Sequence, residues 1–125
     1  MNLLLIGVTG ILGVYTRYFI DSYFLNKSYI TGTLIVNTLG CIVAGTLMAL
    51  LQQKSQSQQL YKIIIIGFCG GLTTFSAFIL QGFNLIHEGE KIKTMAYLIG
   101  SPLLGLISLA FAYYMTNTFF LSNLK

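Results

Sequence analysis

Charge is scarce in this sequence. Of its 125 residues only seven are Lys or Arg and three are Asp or Glu, so 8% of the chain is charged, against roughly a quarter in an ordinary soluble domain. That scarcity excludes a water-soluble globule. The basic residues Arg17, Lys27, Lys54, Lys62, Lys91, Lys93 and Lys125 are scattered, so a net charge of +4 makes no patch to hold a phosphate backbone, and nucleic acid is not expected as a partner. The three acidic residues, Asp21, Glu88 and Glu90, fall in polar breaks or at the ends of apolar runs. No carboxylate is therefore expected inside a span, where proton-coupled export of cations would need one. Cysteine is also scarce: Cys41 and Cys69 both lie within apolar runs and read as small packing residues, not as a disulfide framework or metal site. The single histidine, His87, stands in a polar loop beside Glu88. No nucleophile–base pair or ligand cluster accompanies it, which speaks against an enzyme.

What is present in quantity is apolar sequence: 55% of residues are hydrophobic and the mean hydropathy is +0.78. Four apolar runs, at about 3–20, 30–51, 60–86 and 95–121, are each long enough to cross a bilayer at about 20 residues per crossing. In hydrocarbon every backbone group must pair internally, and four short strands are too few to close a barrel. The expectation is an all-α membrane protein, one domain over residues 1–125, with four transmembrane helices and both termini on the same side. The first run lacks a basic leading segment and a small-x-small cleavage site, so it is read as a membrane helix and not a signal peptide. Pro102 is expected to kink the fourth run. The third run carries Gly67, Gly70 and Gly71 with Thr73 and Thr74 behind them, the composition of a helix broken at mid-membrane, where freed carbonyls can coordinate a cation.

Placing the loops alternately puts Lys54, Lys62 and Lys125 on the side of the termini and Arg17, Lys27, Lys91 and Lys93 on the other. Three against four gives almost no orientation bias. A chain that inserts both ways builds an antiparallel homodimer; alternatively one charge or the free N-terminus fixes a single orientation. Four helices leave no room for a hole along their own axis, so a conduction route belongs between subunits or in grooves. Small residues suited to close helix approach recur at Gly7, Gly10 and Gly13, at Gly40 and Ala44, at Cys41 and Gly45, and at Ser101 and Gly105.

The polar residues left inside the apolar runs are neutral and rich in donors. Thr33 and Asn37 are four apart on the second run; Tyr97, Ser101 and Gly105 are four apart on the fourth. Hydroxyls and an amide NH2 can donate to a small anion and still release it. Phe75 and Phe78 follow the glycines at i, i+3, and an aromatic edge carries partial positive charge. Each feature has a plainer reading as well, an interhelical hydrogen bond for Asn37 and simple packing for the Phe pair.

Three segments, Gly13-Val-Tyr-Thr-Arg17-Tyr, Gly32-Thr-Leu-Ile-Val-Asn37-Thr-Leu-Gly40 and Gly67-Phe-Cys-Gly-Gly-Leu-Thr-Thr-Phe75-Ser-Ala-Phe78, together resemble the signature of the Fluc/CrcB fluoride channels. The resemblance covers nearly the whole chain in order. It implies an antiparallel dual-topology homodimer in the cell inner (plasma) membrane, with two routes along the subunit interface for passive export of fluoride. It implies a structural Na+ on the two-fold axis, held by main-chain carbonyls of Gly70 and Thr73 from both subunits. By the same resemblance Asn37 is the pore amide, Phe75 and Phe78 the aromatic box, Thr33, Tyr97 and Ser101 the polar track, and Arg17 the cation at the vestibule. Ser76 and Gln81 fall on the same route, and Gln81 stands where the family often has Glu. A small multidrug-type transporter needs an intramembrane carboxylate that this chain lacks. A structural membrane subunit gives no reason for Asn37, the Phe pair and the glycines to occur together.

Overall fold

The computed structural model describes residues 2–24, 28–51 and 57–121, and every regular element in it is helical. Helix α1 spans Asn2–Phe24 and α2 spans Tyr29–Leu51. The third segment begins with α3, Ser57–Tyr61, widens into a π-helical stretch over Lys62–Cys69 and closes with one turn, α4, Gly70–Leu72. After two extended residues, α5 runs over Phe75–His87, and α6 over Lys91–Thr116, ending in a π-helical turn at Asn117–Leu121. Four of these stretches are long and apolar enough to span a membrane: Leu3–Phe24, Ile30–Leu51, Gln58–His87 and Lys91–Phe119. This is a multi-pass membrane protein.

Local sequence accounts for the boundaries. Helix α1 passes beyond residue 20 and carries Asp21 in its last turn, where the carboxylate packs on the backbone of Gly32. Gly89, at φ 77°, ends α5: Glu90 N–H reaches the Leu85 carbonyl at 3.0 Å and Gly89 N–H reaches that of Ile86 at 3.1 Å. This is the glycine-dependent closure that satisfies the last carbonyls of a helix. Helix α6 runs on through Pro102 as a single helix. Of the polar segment 52–59 between the second and third apolar runs, residues 52–56 lie outside the described residues and Ser57 already begins α3.

Packing divides into two seams. Along the first, α1 lies on the third segment with almost no side chains between them. A Cβ on Gly13 meets Phe68 O and Leu72 N, one on Gly71 meets Gly10 O, and one on Gly67 meets the side chain of Thr9. Thr9 Oγ1 donates across the seam to Ile63 O at 2.8 Å. The second seam joins α2, α5 and α6. Gly45 sits on the Leu109 backbone, Gly105 against Cys41, and Gly82 under Leu98. Its core is Phe78, Leu85 and Tyr97 with Ile30 and Leu98 around them.

The glycines differ from their expected role. Gly67 lies within the π-helical stretch and Gly70 and Gly71 within α4, while the residues that leave helical geometry are Thr73 (φ −85°, ψ 157°) and Thr74 (φ −150°, ψ 116°). Gly67 and Gly71 are small because α1 touches them. Thr73 and Thr74 are extended because other groups, described next, satisfy their backbone.

Candidate functional site

The Thr73–Thr74 link is held from three directions. Asn37 on α2 faces it with its whole amide: Oδ1 accepts from Thr74 N–H at 2.8 Å, and Nδ2 donates to Thr74 O at 3.2 Å. That pair replaces the helical bonds the Thr74 peptide forgoes, including the one its N–H gives to Gly70 O in a continuous helix. Arg17 Nη1 on α1 donates to Thr73 O at 3.3 Å. Within the link, Thr73 Oγ1 folds back to Cys69 O at 2.8 Å, and its methyl presses on Gly40, where a Cβ has no room. Thr74 then caps α5, its hydroxyl accepting from Ala77 N–H at 3.2 Å, with Ser76 Oγ 3.4 Å away. An N-terminal hydroxyl cap of this kind satisfies one of the helix's orphan donors.

Below the link runs a hydrogen-bonded chain that crosses all three helices of the second seam. Tyr97 OH on α6 donates to Gln81 Oε1 on α5 at 2.7 Å, and Gln81 Nε2 donates to Thr33 Oγ1 on α2 at 2.7 Å. Thr33 is 1% exposed and Tyr97 7%, so both ends of the chain are enclosed, while Gln81 between them is half-buried. The two Phe rings are unlike each other. Phe78 is buried at 5% and leans on Tyr97 with centroids 5.0 Å apart, whereas Phe75, 5.9 Å from Phe78, is 76% exposed. Position i, i+3 puts both on one face, but only Phe78 reaches the core.

Two concavities meet at Asn37 and Phe75. One, of about 370 Å³, is bordered by Gly40, Cys41, Cys69, Gly70, Thr73 and Thr74; the other, of about 220 Å³, by Phe78, Ser101, Pro102 and Gly105. The structure thus brings together Asn37, Phe75, Phe78 and Ser101 on one side of the link and Gly70 and Thr73 on the other. Thr33, Gln81 and Tyr97 form the enclosed chain behind Phe78. Arg17 is turned to the link's carbonyl, and Ser76 lies on the exposed first turn of α5, bordering neither concavity. Two contributors escaped the sequence reading. Thr74 acts as a cap, a role signalled by a hydroxyl residue just before an apolar helix. Cys41 borders both concavities, a placement its four-residue step from Asn37 signals.

Comparison with known sequences identifies the family. The family described as CrcB-like protein, Camphor Resistance (CrcB), matches residues 4–113. A protein of Rhodococcus jostii (strain RHA1) named Fluoride-specific ion channel FluC 2 is 33% identical over 121 residues, covering 94% of this chain and 100% of its own. Proteins named Fluoride-specific ion channel FluC are 42% identical in Methanococcus aeolicus (74% of this chain, 76% of the relative) and 30% identical in Helicobacter acinonychis (95% and 99%). With its four candidate spans, its Asn37-clamped link and a match over most of its length, this chain belongs to the CrcB-like family.

Proposed function

We propose that the protein is a fluoride-selective channel that lets fluoride leave the cell passively across the inner (plasma) membrane and so confers fluoride resistance. The observation that carries this reading is the meeting of Asn37, Phe75, Phe78 and Ser101 on one concavity, backed by an enclosed chain of hydroxyl and amide groups. A small, strongly hydrated anion must find substitute donors when it sheds water. Here Ser101 Oγ and the Asn37 NH2, one of whose two protons goes to Thr74 O, supply them without a fixed positive charge that would trap it. The edge of the Phe75 ring and the positive N-terminal end of α5 add weak attraction. Fluoride efflux from liposomes bearing the purified protein, compared with chloride, tests it; equal flux of both ions, or none, overturns it.

The same reading includes an antiparallel homodimer, motivated by the three-to-four balance of Lys and Arg and by the open concavity beside Gly40, Cys41 and Gly70. Two Lys added within 52–59 bias insertion one way. Flux then falls and returns on co-expression of an oppositely biased copy; full flux from the biased copy alone refutes the dimer.

We further propose that the link at Thr73–Thr74 interrupts the third span at mid-membrane depth, and that Gly70 and Thr73 carbonyls would hold the Na+ implied by the family. Carbonyl oxygens suit such a hard ion, and the donor normally directed at Gly70 O is bound to Asn37 instead. Two oxygens from one chain are too few, so the ion would need the matching pair from a second copy. Bound, it would tie the two links together. A density peak on the two-fold axis, within about 2.5 Å of main-chain oxygens, is the expected result, and an empty axis refutes it.

A further inference from the structure

Helix α1 carries two opposite charges on one face, and the structure turns them apart. Arg17 and Asp21 are four residues apart on α1, hence on the same side of it, and both are half-buried. The Arg17 guanidinium reaches to the link, where Nη1 donates to Thr73 O at 3.3 Å. Asp21, in the last turn of α1, lies against the beginning of α2 instead, where a Cβ on Gly32 meets its Oδ1. Arg17 acts on the carboxylate through space, but no ion pair joins the two; among the described residues the ion pair is that of Lys93 with Glu90, at 2.9 Å. Alternation of the four spans puts that paired turn on the same side as Asp21. The positive charge is therefore held inward at the link, and the negative one stands uncancelled at the helix end, closer to water.

We propose that Asp21 is an electrostatic brake on anion entry from this side, a carboxylate that an anion passes before it feels Arg17. The inference rests on the fluoride-channel reading. A charge at the mouth of a route changes the local concentration of an ion and its rate of entry, by about tenfold or more, and the effect falls steeply with ionic strength. A carboxylate thins out anions at low salt, whereas an arginine gathers them. Screening removes the more exposed field first, because charges near water lose their reach beyond about 10 Å at 0.1 M salt while buried ones are screened less. Asp21 is the outer charge of the two. Salt therefore relieves the brake before it weakens the attraction, and flux through the native chain rises with ionic strength. With Asp21 made neutral, Arg17 alone sets the field and the rise disappears.

The test is fluoride efflux from proteoliposomes of zwitterionic phosphatidylcholine, with potassium gluconate equal on both sides and leak through protein-free vesicles subtracted. Ionic strength is raised from about 0.01 M to about 1 M, which shortens the screening length from about 30 Å to about 3 Å. Wild-type flux is expected to rise about threefold or more with salt. Asp21→Asn should exceed wild type about threefold at low salt and stay level or fall as salt is added. Asp21→Ser, smaller and equally neutral, should behave the same way without pressing on Gly32, and Asp21→Glu should keep the wild-type rise. Because each salt response is read within one preparation, it does not depend on how much protein folds. If Asp21 only packs α1 against α2, the neutral variants keep the wild-type salt response, and that result overturns the brake while leaving a fluoride channel. A wild-type flux that is level or falls with salt does the same. Absence of wild-type flux at both ionic strengths overturns the channel reading and the brake together.

Discussion

The two seams of this molecule are built on opposite principles. Between α1 and the third segment, glycine meets backbone: Gly13 on Phe68 and Leu72, and Gly71 on Gly10. Between α2, α5 and α6, polar side chains meet one another: Tyr97 to Gln81 to Thr33, with Asn37 on the Thr74 peptide above them. In lipid no hydrophobic force draws helices together, so a seam can be closed by close approach of backbones or by hydrogen bonds. The first solution fixes distance but offers nothing to an ion. The second fixes donors in an enclosed place, at the cost of needing every partner present. Scaffold and chemistry are thereby assigned to different faces of the same short chain.

The largest effect should come from the glycine seam. Gly13→Val puts branched carbon where Phe68 O and Leu72 N already stand, and backbone cannot step aside as a side chain can. Overpacking of this kind costs about 3 kcal/mol or more. Loss of a monodisperse species on purification, or a steep drop in unfolding temperature, is the measurement. A variant as stable as wild type shows that α1 does not sit on α4.

The next effect should touch function and spare stability. Phe75 is 76% exposed and contributes little to the core of this chain, so Phe75→Ile should leave unfolding nearly unchanged. The ring's positive edge is lost, and fluoride flux is expected to fall by more than tenfold, about 1.4 kcal/mol in barrier. Phe78 separates differently. Buried against Tyr97, it should lose about 3–5 kcal/mol of stability on change to Ala. Equal behaviour of the two positions erases the distinction between an exposed ring and one buried in the core.

Much of this was legible in the chain itself. Four apolar runs in a sequence with 8% charge admit little but four membrane-crossing helices, and spacing alone places Asn37 with Thr33 and Phe75 with Phe78. Partners across helices were not legible. Asn37 reads either as a donor to an ion or as an interhelical hydrogen bond, and what the sequence does not name is the partner: both ends of its amide are bound to the Thr74 peptide, a contact 37 residues away. Gln81 reads as a departure from a family pattern and proves to be the middle of a hydrogen-bonded chain. The glycines mislead for a simple physical reason: a missing side chain serves a non-helical backbone or a close neighbour equally well, and only the position of α1 decides.

A smaller test concerns the hydroxyl bond that Thr9 makes across the glycine seam. Thr9 Oγ1 lies 2.8 Å from Ile63 O but also 2.9 Å from Leu5 O in its own helix. Thr9→Val keeps the shape and removes the hydroxyl. Interhelical bonds of this kind are worth about 0.6 kcal/mol on average in membrane helices, and the local alternative at Leu5 reduces the net gain of crossing the seam. A small fall in unfolding temperature with fluoride flux unchanged is expected, and a loss of flux places Thr9 on the ion's path.

The smallest effect should be at Gly7, and it is informative for that reason. Gly7, Gly10 and Gly13 form one stripe of small residues in sequence, but a Cβ on Gly7 meets nothing within 4 Å, whereas one on Gly13 collides with backbone. Gly7→Ala should therefore raise stability by only about 0.5 kcal/mol, the gain in helix propensity being the only force at work. Unfolding in detergent and in lipid measures it. If Gly7→Ala instead destabilises as Gly13→Val does, some surface outside this chain must close over α1 at that point. A second copy is then the natural occupant, and the glycine seam continues from within the chain to the contact between chains.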